Sequence, residues 1–191
     1  MRMMSRISGR RQANPNIEGP QLDVRVVHTN KVFKTHKGGK TASWSILVVV
    51  GDNKGRVGMG LGKARGIPDA IRKAEEAARK SMIDVPLVGS TIPHEAEGVW
   101  GTSRVLLRPA SPGTGVKAGG AARACLECAG VNNVLAKILG SRNAVNVAYA
   151  TFEAFRSLVV PEELAQERGL DVKELVPWLE KVRKEEADVA Y

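Results

Sequence analysis

The chain reads as an α+β protein of two small units, the first β-β-β-α and the second a compact, β-rich α+β unit. Three observations lead there. Residues 22–33 alternate with a period of two and are rich in β-branched side chains, whereas from Ile67 the apolar residues recur at helical spacing. Breaks rich in glycine or proline at 37–40, 51–55 and 109–115 separate the apolar runs. Apolar residues make up 43% of 191, yet only three Trp, two Tyr and three Phe are among them, so the core is aliphatic and large enough for one moderate or two small domains.

Residues 1–21 are polar and basic, with Pro15, Gly19 and Pro20, and read as a flexible arm. A first unit spans 22–85. Its first strand ends at a turn made by Lys37-Gly-Gly-Lys40, its second is the apolar run from Ala42 to Val50, and Gly51-Asp-Asn-Lys-Gly55 connects to a glycine-loosened third strand over 56–62. The helix that follows has Pro68 in its first turn and Ile71, Ala74, Ala78 and Met82 on one face. This predicts a three-stranded antiparallel meander with basic loops at one end of the sheet and the helix over the other face. A second unit spans 86–160. Short strands are expected at 91–97 and 103–108, an apolar helix at 121–129 closed by Gly130, a strand at 131–139, and a helix at 143–158 with Val145, Ala148, Phe152 and Phe155 inward. Residues 161–191 form an acidic tail with helical patterns at 162–166 and 172–184.

Charge is distributed unevenly. The net charge is +9, and successive segments 1–40, 41–83, 84–145 and 146–191 carry +7, +4, +2 and −4. Such a gradient points to a polyanion gripped by the first half. Two cysteines are too few for a disulfide framework and indicate a reducing compartment, and no run of eighteen apolar residues suggests a membrane span. The opening residues lack the apolar stretch of a secretory signal.

Glycine and positive charge are interleaved from Lys34 to Gly66. Lys34, His36, Lys37, Lys40, Lys54, Arg56, Lys63 and Arg65 are the candidate phosphate contacts. Gly38, Gly39, Gly58, Gly60 and Gly62 would let backbone amides approach a phosphate chain. Tight turns alone account for Gly51 and Gly55. They account less well for the alternation at 58–66, because glycine inside a strand costs stability unless something must come close. An enzymatic nucleotide loop does not fit: a Walker loop ending at Gly62-Lys63 would need glycine at Val57 and a hydroxyl at Ala64, and Gly58-x-Gly60-x-Gly62 is one residue short of the dinucleotide pattern. Cys125 and Cys128 have no partner pair and read as small core residues, so neither metal nor cofactor is expected. No nucleophile–base or paired-carboxylate constellation stands out. Trp44 and Trp100 suit either core packing or base stacking.

Several ordered motifs, Lys37-Gly-Gly-Lys, Val48-Val-Val-Gly-Asp-Asn-Lys-Gly-Arg-Val-Gly-Met-Gly-Leu-Gly-Lys-Ala-Arg, Gly101-Thr-Ser-Arg-Val, Pro109-Ala-Ser-Pro-Gly-Thr-Gly and Ala129-Gly-Val-Asn-Asn-Val-Leu-Ala-Lys, resemble the bacterial-type small-subunit ribosomal protein five family over about 22–165. The resemblance implies a first domain similar to a double-stranded-RNA-binding fold and a second with a left-handed βαβ crossover. It also implies a non-enzymatic, cytoplasmic ribosomal protein. Its partners would be small-subunit rRNA, ribosomal proteins four and eight, and, with protein three, messenger RNA at the entry channel. Residues 34–40 match the family's loop beside the head-neck rRNA, where changes give spectinomycin resistance. Gly113, Gly115 and Arg123 fall at the contact with protein four, where changes at the last two alter decoding accuracy. The chain departs from the family in having Lys40 for Arg, Ala42 for an aromatic residue and Trp44 for Phe.

Overall fold

The computed structural model describes residues 22–169, and the basic arm and the helical pattern at 172–184 lie outside them. The first sheet contains β1 (Asp23–His36), β2 (Gly39–Gly51), β3 (Arg56–Ala64) and β4 (Ile83–Asp84) in that order. β1 to β3 form the expected meander. The fourth strand was not expected: after α1 (Ile67–Lys80) the chain returns to pair Ile83 with Val57 and Asp84 with Arg56. Ile83 and Asp84 therefore close the first sheet, at the end of the segment 22–85 assigned to the first unit.

α1 starts on Gly66 with Pro68 in its first turn, carries Asp69 near its N-terminus and ends with Arg79 and Lys80, charges that oppose the helix dipole. Its buried stripe is Ala70, Ala74 and Ala78, one residue off the predicted Ile71 and beyond which Met82 falls outside the helix. Those methyl groups sit on Ile46, Val48 and Val50 of β2. The opposite face of β2, carrying Leu47 and Val49, joins the core of the second unit. A strand buried on both faces has no use for polar alternation, which is why residues 46–50 form an unbroken apolar run.

The second sheet runs β5 (Ala96–Trp100), β6 (Ser103–Pro109), β8 (Val134–Gly140), β7 (Val116–Lys117). β5 is displaced toward the C-terminus from the predicted 91–97, because Thr91 is taken up in a lone bridge to Val88. β7 and β8 are parallel and joined through α2 (Gly120–Ala129), a βαβ unit. α2 stops at Gly130, which takes the left-handed conformation at φ 87°. α3 (Ala144–Arg156) is capped by Asn143, whose side chain accepts the Val145 amide, and buries Phe152 and Phe155 at the helix–sheet interface. A short α4 (Pro161–Arg168) ends the described residues.

Candidate nucleic-acid interface

The two units meet through backbone rather than through side chains alone. The turn from β2 to β3 is fixed by Asp52, whose carboxylate accepts from the Lys54 amide at 2.8 Å, the Arg56 amide at 3.0 Å and the Arg56 Nε at 3.0 Å. Burial alone would push this carboxyl up, but those amides and the Arg56 charge outweigh it and hold it below its ordinary range. Beside it Asn53 adopts φ 57° and donates to the Cys128 carbonyl at 3.2 Å, while the Gly55 amide donates to Ala129 at 2.9 Å. These bonds tie the turn to the end of α2, and Arg25 of β1 pairs with Glu127 of the same helix. The approach is close enough that a Cβ on Gly51 would lie 1.9 Å from the Cys128 carbonyl oxygen, and one on Gly130 would lie 2.2 Å from that of Asn53.

This junction separates the predicted basic residues into two groups. Lys54 and Arg56 stand at the end of the sheet that abuts the second unit, and Arg56 is engaged by Asp52. Lys34, His36, Lys37 and Lys40 stand at the opposite end, where β1 and β2 continue as a two-stranded ribbon after the pairing of β2 with β3 has stopped at Trp44. The thirteen residues of β2 span on the order of 40 Å between these ends. The expectation of basic loops gathered at one end of the sheet is thus corrected: a meander places successive hairpin turns at opposite ends.

Lys63 and Arg65 belong with the distal group. Lys63 pairs with Ser45, so its side chain shares the face of Leu47 and Val49, away from α1. Directly opposed residues share a face, which adds Asn30, Lys34, Ser43 and Thr41 to it. Near the junction this face is covered, but beyond Leu47 it opens, and Leu61 is half exposed. The distal half-face therefore presents lysines, hydroxyls and an amide on a pleated surface, and the ribbon tip adds Lys37 and Lys40. Asn30, Ser43 and Ser45 were missed in the sequence, where only strand register reveals that they accompany Lys34 and Lys63.

Glycines 58, 60 and 62 do not belong to that surface. Their Cβ positions would lie 2.2, 2.1 and 2.1 Å from the carbonyl oxygens of Ala78, Ala74 and Ala70, so the chain that comes close is α1 itself. All three residues are buried. Their reading as places where phosphate backbone approaches is corrected on this point: the cost of strand glycine is offset by helix–sheet packing inside the molecule. Gly38 and Gly39, by contrast, have nothing within 4 Å of a Cβ position.

The candidate protein contact lies on the second unit. Gly113 and Gly115 have φ of 85° and 72°, with open space around each Cβ position. Gly115 donates to the Asn133 side chain at 3.0 Å, which fixes the loop before α2. Arg123 is exposed on α2 and paired with Glu127 at 2.7 Å. Cys125 and Cys128 are fully buried, and burial raises both thiols, Cys128 to about 11. A thiol held in that form is a packing residue, not a nucleophile. Among the described residues no group of His, Cys, Asp and Glu is arranged to hold a metal ion, and no helix is long and apolar enough to cross a membrane.

A nucleic-acid-binding α+β protein is the class that this architecture and its distal basic surface define. Residues 22–86 match ribosomal protein S5, N-terminal domain, and residues 98–168 match ribosomal protein S5, C-terminal domain. The chain is 54% identical over 160 residues to small ribosomal subunit protein uS5 of Nocardia farcinica (strain IFM 10152), an alignment covering 84% of this chain and 73% of that protein. The chain belongs to the ribosomal protein S5 family. It is accordingly a structural, non-enzymatic constituent of the small ribosomal subunit, in company with rRNA in the cytoplasm.

Proposed function

We propose that this protein holds rRNA on the distal half of its first sheet, through Lys34, His36, Lys37, Gly38, Gly39, Lys40, Lys63 and Arg65, and so supports subunit assembly and translational accuracy. Lys54 and Arg56 make a separate, more proximal contact. One observation carries this reading: Lys34, Lys37, Lys40 and Lys63 are exposed, take part in none of the ion pairs among the described residues, and stand on or beside a ribbon with no acidic residue between Asp23 and Asp52. Charges left without protein partners on a ribbon with no core of its own are suited to phosphate. The regular spacing of a two-stranded ribbon favours recognition of RNA shape over sequence. Gly113, Gly115 and Arg123 form the contact with ribosomal protein four, protein eight is a further neighbour, and with protein three the chain lines the messenger entry channel.

Binding to small-subunit rRNA as a function of salt tests the first part. Lys37→Ala should flatten the slope of log affinity against log salt by about 0.7–0.9, the change expected when a single lysine–phosphate pair is removed. An unchanged slope for Lys37→Ala and for Lys34→Ala alike would remove the ribbon from the interface. For the protein contact, Arg123→Glu should lower incorporation into subunits while leaving affinity for isolated rRNA near that of the parent; loss of rRNA affinity instead would contradict the assignment.

A further inference from the structure

The α1-side face of the ribbon carries a cluster that the phosphate contacts do not use. Lys31 and Trp44 oppose one another across β1 and β2, and Phe33 and Ala42 form the next pair outward on that face. The Lys31 ammonium lies 5.2 Å from the centroid of Phe33 and 5.7 Å from that of Trp44, so a single cation bridges two rings. Trp44 is anchored at its inner side against the alanine and valine cluster beneath α1. Phe33 has no such backing, and 57% of it is exposed.

Ala42 makes this arrangement a notch. Its methyl group stands across from Phe33 and two residues from Trp44 on the same face, so a ring rises on either side of it. Diagonal positions on a sheet are about 7–8 Å apart. With Lys31 between the two rings, it is the outer, exposed side of Phe33 that is open to one further planar ring. Charge identifies what such a ring would belong to. No acidic residue occurs between Asp23 and Asp52, while Lys31 and Lys40 share the face of the notch and Lys37 stands at the ribbon tip beside it. A nucleotide suits this face because it offers both a planar base for the rings and a phosphate for the lysines.

We propose that Phe33, Trp44 and Lys31 form a stacking site for one unpaired nucleotide of rRNA, its base lying on the outer side of Phe33 and its phosphate turned toward the lysines. The site rests on the reading that the ribbon lies against rRNA, and adds to it a contact with a base in place of backbone. Aromatic rings on strands serve unpaired bases in this way because every base has a π-face.

The test is a titration of the full chain with purified small-subunit rRNA over a range of salt, using Phe33→Leu, Phe33→Tyr and Lys37→Ala. Phe33→Leu keeps an apolar side chain and should weaken binding about tenfold, the order expected when one base–aromatic stack is removed. Its salt slope should match the parent, Phe33→Tyr should restore the affinity, and the thermal midpoints of all three should agree. An unchanged affinity for Phe33→Leu beside a flattened slope for Lys37→Ala overturns the stacking site and leaves the phosphate contacts standing. An unchanged response in both overturns the underlying reading as well. Failure of Phe33→Leu to enter reconstituted subunits despite normal rRNA affinity would assign the notch to a protein and overturn the proposal.

Discussion

At the ribbon tip, a Cβ added to Gly38 or Gly39 would meet nothing within 4 Å; on β3, one added to Gly58, Gly60 or Gly62 would stand 2.1–2.2 Å from a helix carbonyl. The two sets lie on consecutive strands and look alike in sequence, but they answer different demands. The tip needs glycine for a turn that stays accessible. β3 needs it because α1, with alanine at 70, 74 and 78, lies so low on the sheet that backbone touches backbone. The second unit repeats the device, for a Cβ on Gly98 of β5 would lie 1.9 Å from the Ala150 carbonyl oxygen of α3. Glycine opposite a small-residue helix stripe is thus a packing solution used twice here, and glycine beside lysine at the ribbon tip is a different device, open to its surroundings.

The largest expected effect breaks the packing half of this comparison. Gly60→Val would drive a branched side chain into the Ala74 carbonyl at 2.1 Å and the Ala78 amide at 2.5 Å, and neither can move without lifting α1 off the sheet. A loss above ~4 kcal/mol is expected, enough to abolish cooperative unfolding in a urea titration. A variant that still unfolded cooperatively, within about 1 kcal/mol of the parent, would show that α1 rides higher than described.

Much of the first sheet was legible because its periodicities are strong. The strand at 42–50, the turns at 37–40 and 51–55, the helix start at Pro68 and the Gly130 stop each have a local cause. The inward Phe152 and Phe155 were equally local, whereas Asn143, expected as the first residue of that helix, is its cap. The alternating glycines misled because their partner lies eight to twenty residues further on, in α1, and a close approach read from one strand does not name what approaches. The β4 pairing and the junction through Asn53, Cys128 and Ala129 are hidden for the same reason: they are backbone bonds between segments far apart in sequence. The distal surface is intermediate. Its lysines could be found by charge, but their division between two faces depends on register, which includes a shift between Val26 and His28 that no pattern announces.

A moderate effect is expected at the junction, where Asp52 holds the turn against the second unit. Asp52→Asn keeps an acceptor oxygen but loses the charge that engages Arg56, and should cost about 1–2 kcal/mol near pH 7. The sign with pH follows from the lowered carboxyl. A group whose folded value is depressed contributes stability in full above roughly pH 5 and loses it as pH falls through the folded value. The gap between parent and variant should therefore be constant from pH 6 to 8 and close in strongly acidic solution. Denaturant midpoints measured across that range decide it, and a gap that widened on acidification would mean that the carboxylate is not what holds the turn.

The smallest effect sharpens the other side of the comparison. Gly38 has open space where a methyl group would go and lies outside the positive-φ glycines, so Gly38→Ala should change stability by no more than ~0.5 kcal/mol. Gly39 differs, since its φ of 148° is one that side chains rarely adopt, and Gly39→Ala should cost measurably more. Comparing the pair separates conformation from contact. If Gly38→Ala leaves the melting temperature alone yet weakens rRNA binding, the missing Cβ at 38 serves the RNA. If both stability and binding are untouched, close approach at the tip is confined to Gly39 and the lysines around it, and neither the turn nor the RNA requires glycine at 38.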